Sequence, residues 1–156
     1  MPLDSSTEEI RAEAHRIAAL LKDLEGPMLP VLHAVQARFG YVPEAAVPAV
    51  AEALNVTRAE VHGVVSFYHD FRSEPAGRAV VRVCRSEACK SVGADRLLTD
   101  LEAALGVRAG ETAADGSVTL EPVYCLGLCA CAPAAQVDGR PVGRAEAARI
   151  AGEVRR

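Results

Sequence analysis

Residues 79–89 read Ala-Val-Val-Arg-Val-Cys-Arg-Ser-Glu-Ala-Cys, and residues 118–129 read Val-Thr-Leu-Glu-Pro-Val-Tyr-Cys-Leu-Gly-Leu-Cys. In both stretches a short run rich in β-branched residues leads into a pair of cysteines. Such runs predict buried strands, so each pair is expected in a loop at the end of a strand. Two such loops of one sheet can lie side by side. We therefore expect Cys84, Cys89, Cys125 and Cys129 to converge at one site.

The residues around these strands predict an α/β domain over residues 75–156. Leucines at helical spacing predict a helix that ends at Gly106, and Asp115-Gly116 is a hairpin-type turn. Residues 134–137 and 140–142 are expected to form a second hairpin, followed by a terminal helix over 145–154. The predicted order is β-α-β-β-α.

Residues 1–74 predict a separate helical segment. Apolar residues recur at three- and four-residue spacing in four stretches, and Ser6 with Glu9 and Thr57 with Glu60 offer capping boxes. Gly26-Pro27 and Gly40 are expected to end the first two helices, which we predict over 6–24 and 29–39. The predicted fold class is therefore α+β, a helical bundle followed by an α/β domain.

Composition narrows the function. Of 156 residues, 50% are hydrophobic and the formal net charge is −4, which argues against nucleic-acid binding. No apolar run approaches the roughly 20 residues that span a bilayer, and the N-terminus lacks a secretory pattern. We therefore expect a cytoplasmic protein without membrane insertion. In a reducing compartment, clustered cysteines are more often metal ligands than disulfides.

Four thiolates suit either Zn²⁺ or an iron–sulfur cluster. The pairs have four and three intervening residues and stand 35 residues apart. This spacing favours a [2Fe–2S] cluster over zinc, with a disulfide as the third alternative. The fifth cysteine, Cys131, is expected to be a packing residue, the alternative being a spare ligand. We find no catalytic residues and no phosphate-binding glycine loop for NAD or FMN.

The motifs resemble those of the thioredoxin-like [2Fe–2S] ferredoxin family, which includes the 24-kDa-type subunit of respiratory complex I. The resemblance rests on Cys-x₄-Cys at 84–89, on Tyr-Cys-Leu-Gly-Leu-Cys-Ala-Cys-Ala-Pro at 124–133, and on N-terminal segments at 29–33, 39–43 and 61–69. It implies a thioredoxin-like C-terminal domain that binds one [2Fe–2S] cluster through Cys84, Cys89, Cys125 and Cys129. It also suggests that Pro133 corresponds to the cis-proline of thioredoxin folds.

Within the family, the stretches 84–93 and 120–134 look closest to the gamma subunit of NAD-dependent formate dehydrogenase. This implies a non-catalytic electron-transfer subunit with two partners, a diaphorase (beta) subunit and a catalytic alpha subunit. FMN, NAD and a molybdenum or tungsten cofactor would then lie on the partners only. The alternatives are the equivalent subunit of complex I or of an NAD-linked hydrogenase, a zinc-stabilised adaptor without redox role, and a thiol–disulfide oxidoreductase.

Two further groups of residues suggest contacts with a partner or with the cluster. Arg82, Arg85 and Lys90 flank the first cysteine pair, where they would either offset cluster charge, guide an acidic partner, or simply be solvated. The aromatic-rich segment 66–71 would either seal the helical unit or form a docking edge for a flavin-bearing partner.

Overall fold

The computed structural model describes residues 6–155. The chain folds into two compact units, Met1–Pro75 and Ala76–Arg156. Each unit has its own hydrophobic core. The sequence places the domain boundary between residues 74 and 75, and the independent folding of the two parts stays a prediction. Within residues 6–155, no helix is both long and apolar enough to cross a bilayer.

Four helices build the first unit, as predicted. The capping boxes at Ser6 and Thr57 are both present, with Glu9 and Glu60 as their reciprocal partners. Gly40 and Asn55 end the second and third helices in the left-handed conformation. The helices are α1 (Thr7–Leu21), α2 (Met28–Phe39), α3 (Ala46–Leu54) and α4 (Arg58–Phe67).

The first helix ends earlier than predicted, at Leu21 instead of Leu24. Leu24 is 49% exposed, so a further turn would bury no apolar side chain. The core of this unit is made of small and branched residues from all four helices. Among them are Ala14 and Ala18 of α1, which are fully buried and let the neighbouring helices approach closely.

The segment that follows α4 is held by one side chain of α2. The Gln36 amide group donates to the Asp70 carbonyl (2.7 Å) and accepts from the Arg72 N–H (2.8 Å). Phe71 is buried by this arrangement, whereas Phe67 and Tyr68 stay 74% and 43% exposed. The aromatic-rich segment is therefore partly core and partly surface.

The second unit is a five-stranded mixed sheet with three helices, in agreement with the predicted α+β class. Its strand order is β2-β3-β1-β4-β5; β1 and β3 are parallel, and the other neighbouring strands are antiparallel. The strands are β1 (Ala79–Cys84), β2 (Glu111–Thr112), β3 (Val118–Val123), β4 (Ala135–Val137) and β5 (Arg140–Val142); the helices are α5 (Glu87–Lys90), α6 (Ala94–Leu105) and α7 (Ala147–Val154).

A close backbone approach joins the start of this unit to β3. A Cβ at Gly77 would lie 2.7–2.8 Å from the backbone of Val118, so only glycine fits there. The Gly77 N–H donates to the hydroxyl of Thr119 (2.7 Å), which also shares a hydrogen bond with Thr112 (2.7 Å). Thr119 is buried, and these bonds satisfy its polar atom.

Candidate metal centre

The parallel pairing of β1 and β3 brings the two cysteine loops to the same edge of the sheet. Cys84, the last residue of β1, lies opposite Val123, the last residue of β3. The Arg85 N–H continues the ladder by donating to the Val123 carbonyl (2.7 Å). On the other side, the Cys84 N–H donates to the Ala134 carbonyl (3.0 Å). Chain segments from three parts of the unit therefore meet around Cys84.

The two cysteine pairs differ in exposure. Cys84 and Cys89 are buried, at 2% and 1% exposure, whereas Cys125 and Cys129 are exposed. All of these thiols are free. The short helix α5 carries Cys89 back toward Cys84, and this helix was not predicted. The site thus has a closed side formed by the first pair and an open side formed by the second.

Electrostatic effects connect the pairs. Burial raises the pKa of the Cys89 thiol, and the nearby sulfurs of Cys84 and Cys129 raise it further, while a hydrogen bond from the Ala134 N–H opposes the rise. An interaction with Cys129 requires the second loop to lie close to the first. The structure therefore brings Cys84, Cys89 and Cys129 together.

Backbone N–H groups surround the sulfur of Cys84. Burial would raise the pKa of this thiol, but hydrogen bonds from the Ser86 N–H, the Cys89 thiol and the N–H groups of Leu126 and Cys125 outweigh burial and lower it. The Leu126 and Cys125 donors belong to the second loop. That loop therefore contributes to the surroundings of a cysteine in the first.

The second loop turns sharply at its own cysteine. Cys125 has φ 103° and Gly127 has φ 73°, and the Gly127 N–H lies 3.4 Å from the Cys125 sulfur, to which it donates. Donors that point at sulfur stabilise the negative charge of a thiolate ligand and of any cluster it binds. The donor set of soft thiols with N–H groups around them fits an iron–sulfur cluster.

An apolar layer covers the closed side. Cys84, Cys89, Ala94 and Ala134 form a small buried cluster, against which the side chains of Val123, Leu126, Leu128 and Ala132 pack. The Ala132–Pro133 peptide bond next to this layer is cis, as the resemblance to thioredoxin folds suggested. Apolar surroundings of this kind limit the access of water to a cluster and influence its reduction potential.

Within residues 6–155, no three His, Cys, Asp or Glu side chains are grouped so that they could hold a single metal ion. A [2Fe–2S] cluster distributes four protein ligands over two irons, so that each iron meets two cysteines. Two loops that each supply a pair of thiols match this requirement without any group of three around one point.

The fifth cysteine faces another part of the unit. The Cys131 thiol donates to the Leu128 carbonyl (3.4 Å), and a Cβ at Gly143 would lie 2.6 Å from its sulfur. Cys131 follows Cys129 in a 3-10 turn, and its carbonyl accepts from the Arg144 N–H (2.6 Å). These contacts describe a residue that packs the loop against the chain after β5.

The basic residues near the first pair all have carboxylate partners. Arg85 contacts Asp95 at 2.7 Å, Arg82 contacts Glu121 at 2.8 Å, and Lys90 lies 3.7 Å from Glu87. Ion pairs of this kind near the surface contribute little stability. They do, however, cancel the positive charge that would otherwise surround the cysteine loops.

The chain matches the profile of the thioredoxin-like [2Fe–2S] ferredoxin family over residues 14–155. It belongs to this family, whose cofactor is one [2Fe–2S] cluster. This membership decides between the metals that the cysteine spacing alone left open, in favour of the cluster over zinc.

Several relatives of known identity are components of one enzyme, NADH-quinone oxidoreductase. The chain is 38% identical over 141 residues to the second E-type component of this enzyme in Rhizobium meliloti, covering 90% of this chain and 84% of the relative. It is also 38% identical to the E-type component in Pseudomonas aeruginosa, over 75% of this chain and 70% of the relative. The corresponding component in Mycobacterium tuberculosis is 36% identical, and this chain spans 51% of its length.

A solved structure shares the fold. The NAD⁺-reducing [NiFe]-hydrogenase in its air-oxidised state superimposes with a TM-score of 0.70 at 30% sequence identity, over 82% of this chain. This chain spans only 22% of the hydrogenase chain, about a fifth of its length. Relatives of the chain are thus parts of larger NAD-linked oxidoreductases.

Proposed function

We propose that this chain is a non-catalytic electron-transfer subunit of a multi-subunit NAD-linked oxidoreductase, and that Cys84, Cys89, Cys125 and Cys129 hold its [2Fe–2S] cluster. The observation that carries the proposal is the convergence of two cysteine loops at one edge of the β1–β3 pair. N–H groups from the second loop interact with a sulfur of the first. The family match supports the identity of the cofactor.

The residues of the site suit a one-electron carrier. When bound, a [2Fe–2S] cluster accepts and releases single electrons and so complements a flavin, which handles electron pairs. The buried pair, Cys84 and Cys89, keeps water from one side of the site, and the exposed pair, Cys125 and Cys129, opens the other side to a partner. Four anionic ligands without neutral imidazoles imply a low reduction potential, on the order of a few hundred millivolts negative.

The relatives favour one type of complex over another. We predicted a gamma subunit of formate dehydrogenase from residues 84–93 and 120–134, but the relatives belong to NADH-quinone oxidoreductase and the similar structure is a hydrogenase. The alternative in our prediction, an electron carrier of complex I or of an NAD-linked hydrogenase, is therefore better supported. The proposal includes a flavin- and NAD-binding partner, a separate catalytic subunit and a cytoplasmic location.

Electron exchange with the partner tests the function. Anaerobically purified protein should absorb in the visible region, bleach with dithionite and then show the EPR signal of one unpaired electron. NADH should cause the same reduction only after the organism's own flavin- and NADH-binding subunit is added. Protein that dithionite bleaches but that this mixture leaves oxidised would contradict the proposed electron exchange.

A second experiment identifies the complex. Affinity purification of the tagged chain from its own host, followed by NADH–quinone, NAD–hydrogen and NAD–formate activity assays of the same preparation, separates the three candidates. We expect NADH–quinone activity to co-purify. Formate-dependent reduction of NAD without quinone activity would restore the prediction of a formate dehydrogenase subunit.

A further inference from the structure

The open side of the cysteine site is bordered by apolar side chains. Of the described residues of the second unit, 76–155, two large hydrophobic side chains are exposed, Val92 at 53% and Tyr124 at 74%. Both belong to the cysteine loops. Tyr124 directly precedes Cys125, and the Val92 N–H donates to the Cys89 carbonyl (3.3 Å).

Exposed large hydrophobics scattered over a surface need no explanation, but these two are not scattered. The rest of this unit keeps its large hydrophobic side chains buried or half-buried in the described part of the chain. The loops that carry Tyr124 and Val92 are also the loops that the sulfurs of Cys89 and Cys129 bring together. Apolar exposure therefore coincides with the exposed thiols, Cys125 and Cys129.

The charges nearby do not favour docking by electrostatic attraction. Arg85 is paired with Asp95 through two contacts of 2.7 and 3.1 Å, and Lys90 lies 3.7 Å from Glu87. The basic groups that flank the first cysteine pair are therefore balanced by carboxylates. A partner that recognises this surface gains little from complementary charge and much from burying the tyrosine and valine.

We propose that Tyr124 and Val92 form an apolar docking surface for the flavin-bearing subunit, which buries them and thereby approaches the exposed Cys125 and Cys129. This inference rests on the proposed function. The face of the partner that fits is apolar and weakly charged around its own redox group. Association is therefore insensitive to salt, unlike a complex guided by unpaired arginines and lysines.

The test measures the dissociation constant between the cluster-loaded chain and the organism's own flavin- and NADH-binding subunit. Tyr124→Ala should weaken binding about tenfold or more, as truncation of a central aromatic side chain does at interfaces. Val92→Asp, in the other loop, should weaken it as well. Phe67→Ala is the matched control, because Phe67 is equally exposed at 74% but lies in the first unit.

Visible spectra first establish that each variant retains its cluster. Raising the salt from about 50 to about 500 mM should change the wild-type dissociation constant less than about threefold, whereas a charge-guided complex weakens much more. If wild-type protein with an intact cluster does not bind the flavoprotein, the proposed function itself fails. If it binds, and the two loop variants bind equally well or only Phe67→Ala loses affinity, the docking surface alone is refuted.

Discussion

Replacing Ser86 by proline removes one hydrogen-bond donor from the Cys84 sulfur while leaving the backbone conformation possible. Ser86 has φ −69°, which proline adopts without strain, and its hydroxyl makes no capping hydrogen bond. Arg85 before it continues the ladder of β1, and an extended residue before proline is favoured. Ser86→Ala is the matched control, because alanine keeps the N–H and removes only the hydroxyl.

The size of the effect follows from the charge of the cluster. A hydrogen bond to a charged group contributes about 1.5–3 kcal/mol. On reduction the formal cluster charge changes from −2 to −3, so an electrostatic bond strengthens by about half, or about 1 kcal/mol. Since a tenfold change in equilibrium corresponds to about 59 mV for one electron, loss of the donor should lower the reduction potential by roughly 30–60 mV.

Redox titration followed by EPR measures the potential of the wild-type protein and of both variants. We expect the Ser86→Pro potential to fall by that amount and the Ser86→Ala potential to stay within about 10 mV of the wild type. Equal potentials in all three proteins, with intact clusters, would refute the assignment of the Ser86 N–H as a donor to the cluster environment. A higher potential in the proline variant would refute the sign of the argument.

Three further predictions concern stability. Thr119→Val leaves the Gly77 N–H without its 2.7 Å acceptor and should lower the free energy of unfolding by about 1–3 kcal/mol in denaturant titrations, whereas Thr119→Ser should lose much less; equal losses would contradict this. The hydrogen bond from Arg16 is the main cause that lowers the pKa of Glu13 from 4.5 to about 2. This stabilisation is present above the ordinary pKa and lost as pH falls from 4.5 toward 2, so Glu13→Gln should flatten that part of a pH–stability curve; an unchanged acid limb would exclude it. Residues 75–156 expressed alone should fold and take up the cluster, as circular dichroism and visible spectra would show, and an insoluble, colourless fragment would refute an independent domain.

Much of the fold could be predicted from local signals. The capping boxes at Ser6 and Thr57 fixed the starts of α1 and α4 because each places two complementary side chains three residues apart. The strands β1 and β3 stand out by their β-branched residues. Helix α5 and strand β2 were missed because four and two residues are too few to show a periodicity.

The cysteine site was predictable in its members but not in its asymmetry. Spacing and strand order place the four cysteines at one edge, yet nothing in the spacing distinguishes the buried Cys84 and Cys89 from the exposed Cys125 and Cys129. Burial depends on the packing of Leu126 and Leu128 over the first pair. The ion pairs of Arg82 and Arg85 join positions 39 and 10 residues apart and left no local signal.

The four-cysteine ligand set is tested most directly by counting iron and acid-labile sulfide in single Cys→Ser variants of anaerobically prepared protein. We expect two irons and two sulfides per chain in the wild type and in Cys131→Ser, as one [2Fe–2S] cluster requires. Replacement of Cys84, Cys89, Cys125 or Cys129 should reduce the cluster content or change its EPR spectrum. A colourless wild-type protein that holds one zinc, or a cluster lost with Cys131 but kept without one of the other four, would contradict the assignment.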